Sequence, residues 1–192
     1  MDYLLAAVGG AALIIIVWVV TAVIKRARSP HANRKLREAL EGVWVEYIAG
    51  STGRRISVGR IYFSKQNGML LFDGTNYQDD FHPYCYWQSV NSHLDMNELK
   101  FYYTFKATVV NELDKIYYGN GAVNLGKDNG DITVEDGHYT SANVDAKSMS
   151  HTMYKIPMLQ ARRSWKRVYS VEEMRSIVRH AHLADHFKDS FQ

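Results

Sequence analysis

Hydrophobic positions fall into three regimes along this 192-residue chain. Tyr3 to Ile24 is uncharged and almost wholly apolar. From Gly42 to about Pro157 apolar and polar residues alternate with period two, and β-branched and aromatic side chains dominate. Beyond Ser170 the apolar positions return at helical spacing. The first regime predicts a membrane anchor over residues 1–24, because 22 helical residues cover ~33 Å at ~1.5 Å each, enough for the hydrocarbon core. A cleaved signal peptide would carry basic residues before a shorter apolar run. Here Asp2 precedes the run and Lys25, Arg26 and Arg28 follow it.

The second regime predicts eight strands: Val43–Ile48, Ile56–Phe63, Met69–Phe72, Tyr84–Asn91, Glu98–Val109, Lys115–Val123, Asp131–Glu135 and Thr152–Ile156. Turn signals separate them at Ser51-Thr52-Gly53, Gln66-Asn67-Gly68, Asp128-Asn129-Gly130 and Asp136-Gly137. The fifth strand alternates most cleanly. Leu99, Phe101, Tyr103 and Phe105 share one face, and Lys100, Tyr102, Thr104 and Lys106 share the other. One buried and one wet face suit an antiparallel sheet. About eight strands on short turns predict a small antiparallel β-barrel over residues 42–160, with room for one small ligand. A sandwich is the alternative.

Helices flank the barrel. Pro30, capped by Ser29, opens a short basic helix or linker within residues 25–41, with Leu36 and Leu40 four apart. Residues 161–192 form a C-terminal segment in which Ser170-Val171-Glu172-Glu173 is a capping box. Met174, Ile177, Val178 and Ala181 continue it as an apolar stripe. His182 and His186 stand four apart on this predicted helix, but no third ligand sits at metal-binding spacing.

Charge fixes the orientation. Residues 1–37 carry six basic side chains and one acidic one, so the chain's net +3 leaves residues 38–192 at −2. Lys25, Arg26, Arg28, Arg34, Lys35 and Arg37 on the C-terminal side of the span place the barrel in the cytoplasm and the N-terminus outside. The inner-membrane lipid surface is the expected partner of these charges, at ~1 kcal/mol for each one near anionic headgroups. The soluble part has no excess of positive charge with which to hold long nucleic acid. Arg162, Arg163, Lys166 and Arg167 read as a solvated or membrane-facing patch. Within the anchor, Ala6/Gly10 and Ala7/Ala11 put small side chains four residues apart, which lets helix backbones approach. Ala6, Gly10 and Ala11 are therefore the candidate residues for self-association, and a homo-oligomer is expected.

Catalytic signatures do not occur. The chain has no phosphate-binding glycine loop, no dinucleotide fingerprint, no H-E-x-x-H and no G-x-S-x-G. Asp79-Asp80 with His82 reads as loop chemistry before Pro83. Cys85, the single cysteine, reads as a packed small residue, and nothing asks for an oxidising compartment. An enzyme is not expected, nor is a cofactor. What the β region does supply is rings: Tyr77, Tyr84, Tyr86, Trp87, Tyr102, Tyr103, Tyr117, Tyr118, Tyr139 and Tyr154. Tyrosine and tryptophan stack on flat ligands while offering a polar edge. Arg54, Arg55 and Arg60 could take phosphates. A nucleotide, an apolar small molecule and plain core packing all remain open on these residues alone.

Gly42-Val43-Trp44 is similar to the Gly-x-Trp opening of lipocalin-type barrels, which bind small molecules in the lumen. The order is fuller than that: an apolar N-terminal segment, a basic connector, Leu40-Glu41-Gly42-Val43-Trp44, Leu71-Phe72-Asp73-Gly74-Thr75-Asn76-Tyr77 and Trp87-Gln88-Ser89. It resembles the transmembrane β-barrel effectors of bacterial cyclic-oligonucleotide antiphage signalling (CBASS) and the related Panoptes-type effectors. The resemblance implies a barrel that senses a cyclic dinucleotide, oligomerisation, and membrane disruption that kills the infected cell. In Panoptes-type systems the nucleotide holds the effector silent instead. Such effectors usually carry two spans, and this sequence has one. Residue type and strand position then nominate Arg55, Arg60, Asn76, Tyr77, Trp87 and Tyr103 as ligand contacts. A membrane-tethered, lipocalin-like carrier or scaffold without a defence role is the alternative.

Overall fold

The computed structural model describes residues 34–48, 53, 56–64, 68–141, 148–156 and 168–191. The expected anchor over 1–24, with Ala6, Gly10 and Ala11, lies outside the described residues, as do Arg54, Arg55 and residues 157–167. Among the described residues no helix is long and apolar enough to cross a membrane. The chain divides into two compact units, Met1–Glu38 and Ala39–Gln192. A helix occupies 34–40, and in the first unit Arg34 pairs with Glu38 one turn on, at 2.8 Å.

The second unit is built on a closed, eight-stranded antiparallel barrel in simple meander order. Its strands are β1 (Gly42–Ile48), β2 (Ile56–Phe63), β3 (Leu70–Tyr77), β4 (Pro83–Asp95), β5 (Lys100–Val109), β6 (Glu112–Asp128), β7 (Asp131–Ser141) and β8 (Ser148–Lys155). β1 closes the ring on β8, with Trp44 opposite Lys155 and Ile48 opposite His151.

Several sequence expectations shift: β4 and β6 run longer at both ends than their alternation predicted, and β8 starts at Ser148, ahead of Thr152. β3 runs on from Phe72 to Tyr77, because Gly74 continues the strand as a seat for the Trp87 ring. Asp136-Gly137 is a register shift inside β7 and not a turn, with Asp136 accepting a hydrogen bond from Asn124 Nδ2 at 2.6 Å. Leu99 leaves the β5 face for the preceding turn, at φ 53°. His182 and His186 do not share a helix: the C-terminal helix ends at His180, and His182 has φ 57°. No group of metal-ligating side chains occurs among the described residues.

The C-terminal helix, Val171–His180, forms where the capping box is written. Ser170 Oγ accepts from the Glu173 amide at 3.2 Å, and Glu173 Oε2 accepts from the Ser170 amide at 2.9 Å, a pairing worth about 1 kcal/mol. Its buried residues, Met174, Ile177 and Val178, belong to one cluster with Val43, Val45, Ile56, Val58 and Tyr77 on the outer face of β1–β3 and with Phe81 in the turn after β3. The chain then continues as a 3₁₀ segment, Ala184–Phe191. There the Phe187 ring lies 5.5 Å from that of Phe81, and the His186 ring stacks on Tyr47 at 4.4 Å.

Candidate functional site

The barrel interior is clad in aromatic rings. Phe72, Trp87, Phe101, Tyr103 and Phe105 all point inward from β3, β4 and β5 and are at most 8 % exposed. Phe72 meets Trp87 edge-on at 4.8 Å and Tyr103 at 5.4 Å. Trp87 and Tyr103 lie nearly parallel, with centroids 6.3 Å apart and 25° between planes. Phe105 leads to Tyr139 on β7, and Tyr139 to His151 on β8.

Glycines make these positions possible. Gly74 sits directly opposite Trp87, Gly119 opposite Phe105, Gly121 opposite Tyr103 and Gly137 opposite His151. A Cβ at Gly121 would fall 2.3 Å from Tyr103 Cζ, and one at Gly74 2.6 Å from Trp87 Cζ2. Each ring therefore lies across the neighbouring strand, on the surface that its glycine partner leaves bare.

Opposite this aromatic wall, β8, β1 and β2 carry polar side chains into the same interior. Glu46 is 5 %, Ser57 1 % and His151 2 % exposed. Glu46 and Ser57 are direct cross-strand partners, and Ser57 in turn faces Asn76 on β3. His151 Nε2 lies 3.2 Å from Glu46 Oε1, within ion-pair distance but off the line of a hydrogen bond. Ser57 Oγ and both ring nitrogens of His151 have no hydrogen-bond partner. Asn76 Oδ1 accepts from Trp87 Nε1 at 2.9 Å, tying the polar row to the aromatic wall. Burial pushes the Tyr103 hydroxyl well above its ordinary pKa, and the carboxylate of Glu46 adds to that push.

The nominated residues divide accordingly. Trp87, Tyr103 and Asn76 share the interior. Tyr77 is on the outer face beneath the C-terminal helix, its hydroxyl accepting from the Tyr169 amide at 2.9 Å, with burial raising its pKa. Arg60 is exposed on the outside of β2, with its guanidinium 5.1 Å from the centre of the Tyr62 ring. Neither is placed to meet a ligand in the lumen. Arg55 lies outside the described residues. Glu46, Ser57 and His151 escaped sequence reasoning, although a carboxylate between Val45 and Tyr47, at the inward position of an apolar strand, was the signal available. Asp79, Asp80 and His82 form the loop they were expected to form: Asp80 accepts from the His82 amide at 3.0 Å. Cys85 is buried.

At one end of the barrel, a groove of about 550 Å³ is lined by Trp44, Tyr154, Lys155 and His182, among others. Lys155 Nζ donates to the Ala39 carbonyl at 2.8 Å and lies over the Trp44 ring. Burial lowers its pKa. Comparison with protein-family models, with curated proteins and with solved structures returns no match for this chain.

Proposed function

We propose that the chain is a membrane-tethered sensor whose barrel takes a cyclic dinucleotide and whose anchors carry the response into the bilayer as an antiphage defence effector. The observation that carries this reading is the interior itself, where stacked rings face a row of buried polar atoms without partners. A nucleobase matches both halves, since it has an apolar face to lay on the Trp87–Tyr103 wall and a polar edge for the opposite wall. Stacking on aromatic side chains is worth about 1–3 kcal/mol per base. The two phosphates would remain at the rim. The ligand can control assembly only by binding one assembly state better than the other. Anchors held in one plane raise the effective concentration of the barrels, so contacts through Ala6, Gly10 and Ala11 need only be modest.

A neutral ring-bearing metabolite, held by a tethered carrier without a defence role, is the second reading. One observation favours it: among the described residues the interior bears the carboxylate of Glu46 and no arginine. No catalytic role is assigned. Across the sheet Glu46 lies between His151 and Ser57, whereas a nucleophilic relay needs the histidine in the middle.

Full-length protein in dye-loaded anionic vesicles tests the effector reading. Addition or withdrawal of the cyclic dinucleotide should change dye release, and Gly10→Leu should abolish release without changing nucleotide affinity. Release indifferent to nucleotide would overturn the reading. Unchanged release by Gly10→Leu would remove the step in which anchors cluster.

A further inference from the structure

We propose that Glu46, Ser57 and His151 form a hydrogen-bonding site that reads the donor–acceptor edge of a nucleobase. The proposal deepens the sensor reading and rests on it. Buried polar atoms in folded proteins are nearly always paired, because an unpaired one forfeits its hydration. Ser57 Oγ and the two nitrogens of His151 break that rule together, on one patch of the wall, beside a carboxylate. Three such atoms among rings are a recognition surface kept at the expense of stability.

The chemistry of the patch fixes what it can take. Glu46 accepts only, and one of its oxygens already faces His151 Nε2 at 3.2 Å. Its other oxygen requires an N–H. Ser57 lies directly across the strand pair from Glu46, and its hydroxyl can donate. Together they offer an acceptor beside a donor, about 5 Å apart from backbone to backbone. The matching partner carries an N–H donor next to a ring nitrogen or carbonyl acceptor. An exocyclic amine beside a ring nitrogen fits, and so does a ring N–H beside a carbonyl. An acyl chain or a sterol offers neither. Trp87 is held by Asn76, which is itself the cross-strand neighbour of Ser57, so the stacking surface and the edge-reading groups share one rigid frame.

Full-length protein in detergent micelles is titrated with cyclic di-AMP and cyclic di-GMP, and with counterparts whose exocyclic amine is dimethylated and whose ring N–H, where present, is methylated. The parent that binds should bind at least tenfold more tightly than its blocked counterpart. Ser57→Ala should weaken that parent tenfold and shrink its advantage to threefold or less. In ligand-free protein the same variant should keep or raise the melting temperature, since it removes an unpaired buried hydroxyl. Glu46→Gln should shrink the advantage likewise. If blocked and parent compounds bind equally, the sensor reading stands and the edge-reading assignment falls. If Ser57→Ala melts earlier and binds as before, the hydroxyl is structural and the assignment also falls. If folded protein binds none of the four compounds, the edge-reading assignment falls, and silence across a wider panel of cyclic di- and trinucleotides overturns the sensor reading with it.

Discussion

β1 from Val43 to Glu46 and β2 from Ile56 to Gly59 are buried at consecutive positions, on both faces, whereas β5 alternates buried and half-buried positions along its whole length. The cause is the C-terminal helix. Met174, Ile177 and Val178 cluster with Val43, Val45, Ile56 and Val58, so a wall that would face water becomes a second core. The outside of β5 carries Lys100, Tyr102, Thr104 and Lys106, all half-buried, and among the described residues no helix clusters with it. The two walls also differ inside: β3–β5 supply the rings, and β8, β1 and β2 supply Glu46, Ser57 and His151. The wall carrying unpaired polar atoms inside is the one with an apolar core on its outer face, and that core offsets part of their cost.

Breaking this comparison starts with the largest effect. Phe72→Ala removes a fully buried ring that touches Trp87 and Tyr103, and should cost about 3–5 kcal/mol in denaturant unfolding. Thr104→Ala on the outside of the same wall should stay within about 0.5 kcal/mol. A comparable loss at both sites would mean that the rings do not form a core. Gly121→Ala tests the ring seats more finely. An alanine in place of glycine in extended backbone usually stabilises slightly, but here the methyl meets the Tyr103 ring, and a loss of about 1–3 kcal/mol is expected.

Tyr77→Phe tests the helix-covered wall. It leaves the buried Tyr169 amide without its acceptor, and should cost about 1–3 kcal/mol while leaving ligand affinity unchanged. The smallest effect is in alkali. Burial, with the hydrogen bond to Asp73, raises the Tyr62 pKa to about 12 from an ordinary value of 10.0. A raised tyrosine pKa favours the neutral form in the fold, so its contribution is complete below pH 10 and declines between about pH 10 and 12. Tyr62→Phe should flatten that part of the stability profile.

Much of the barrel was legible. The alternation of Phe101, Tyr103 and Phe105 reports a one-sided strand directly, and Ile56–Phe63 is bounded by its own pattern. The Ser170 capping box is local chemistry and reads as such. Strand ends were harder, because Gly74 and Gly137 signal a stop on propensity but serve here as ring seats, a role fixed by residues on other strands. His182 and His186 looked like neighbours on one helix until the backbone turned left-handed at His182. Which of the nominated residues face the interior was half legible. Trp87, Tyr103 and Asn76 could be named from residue type and strand position. Tyr77 could not be told from an inward tyrosine until the C-terminal helix was seen to cover it, and Arg60 faces outward by one residue of register. Glu46 and His151 come together only because β1 closes on β8, more than 100 residues away in sequence.

The most direct test is isothermal titration of the full-length protein in detergent against a panel of cyclic di- and trinucleotides, repeated with Trp87→Leu. The account predicts micromolar or tighter binding to one member, weakened at least tenfold in the variant. Silence across the panel from folded protein, or binding indifferent to Trp87, would contradict it.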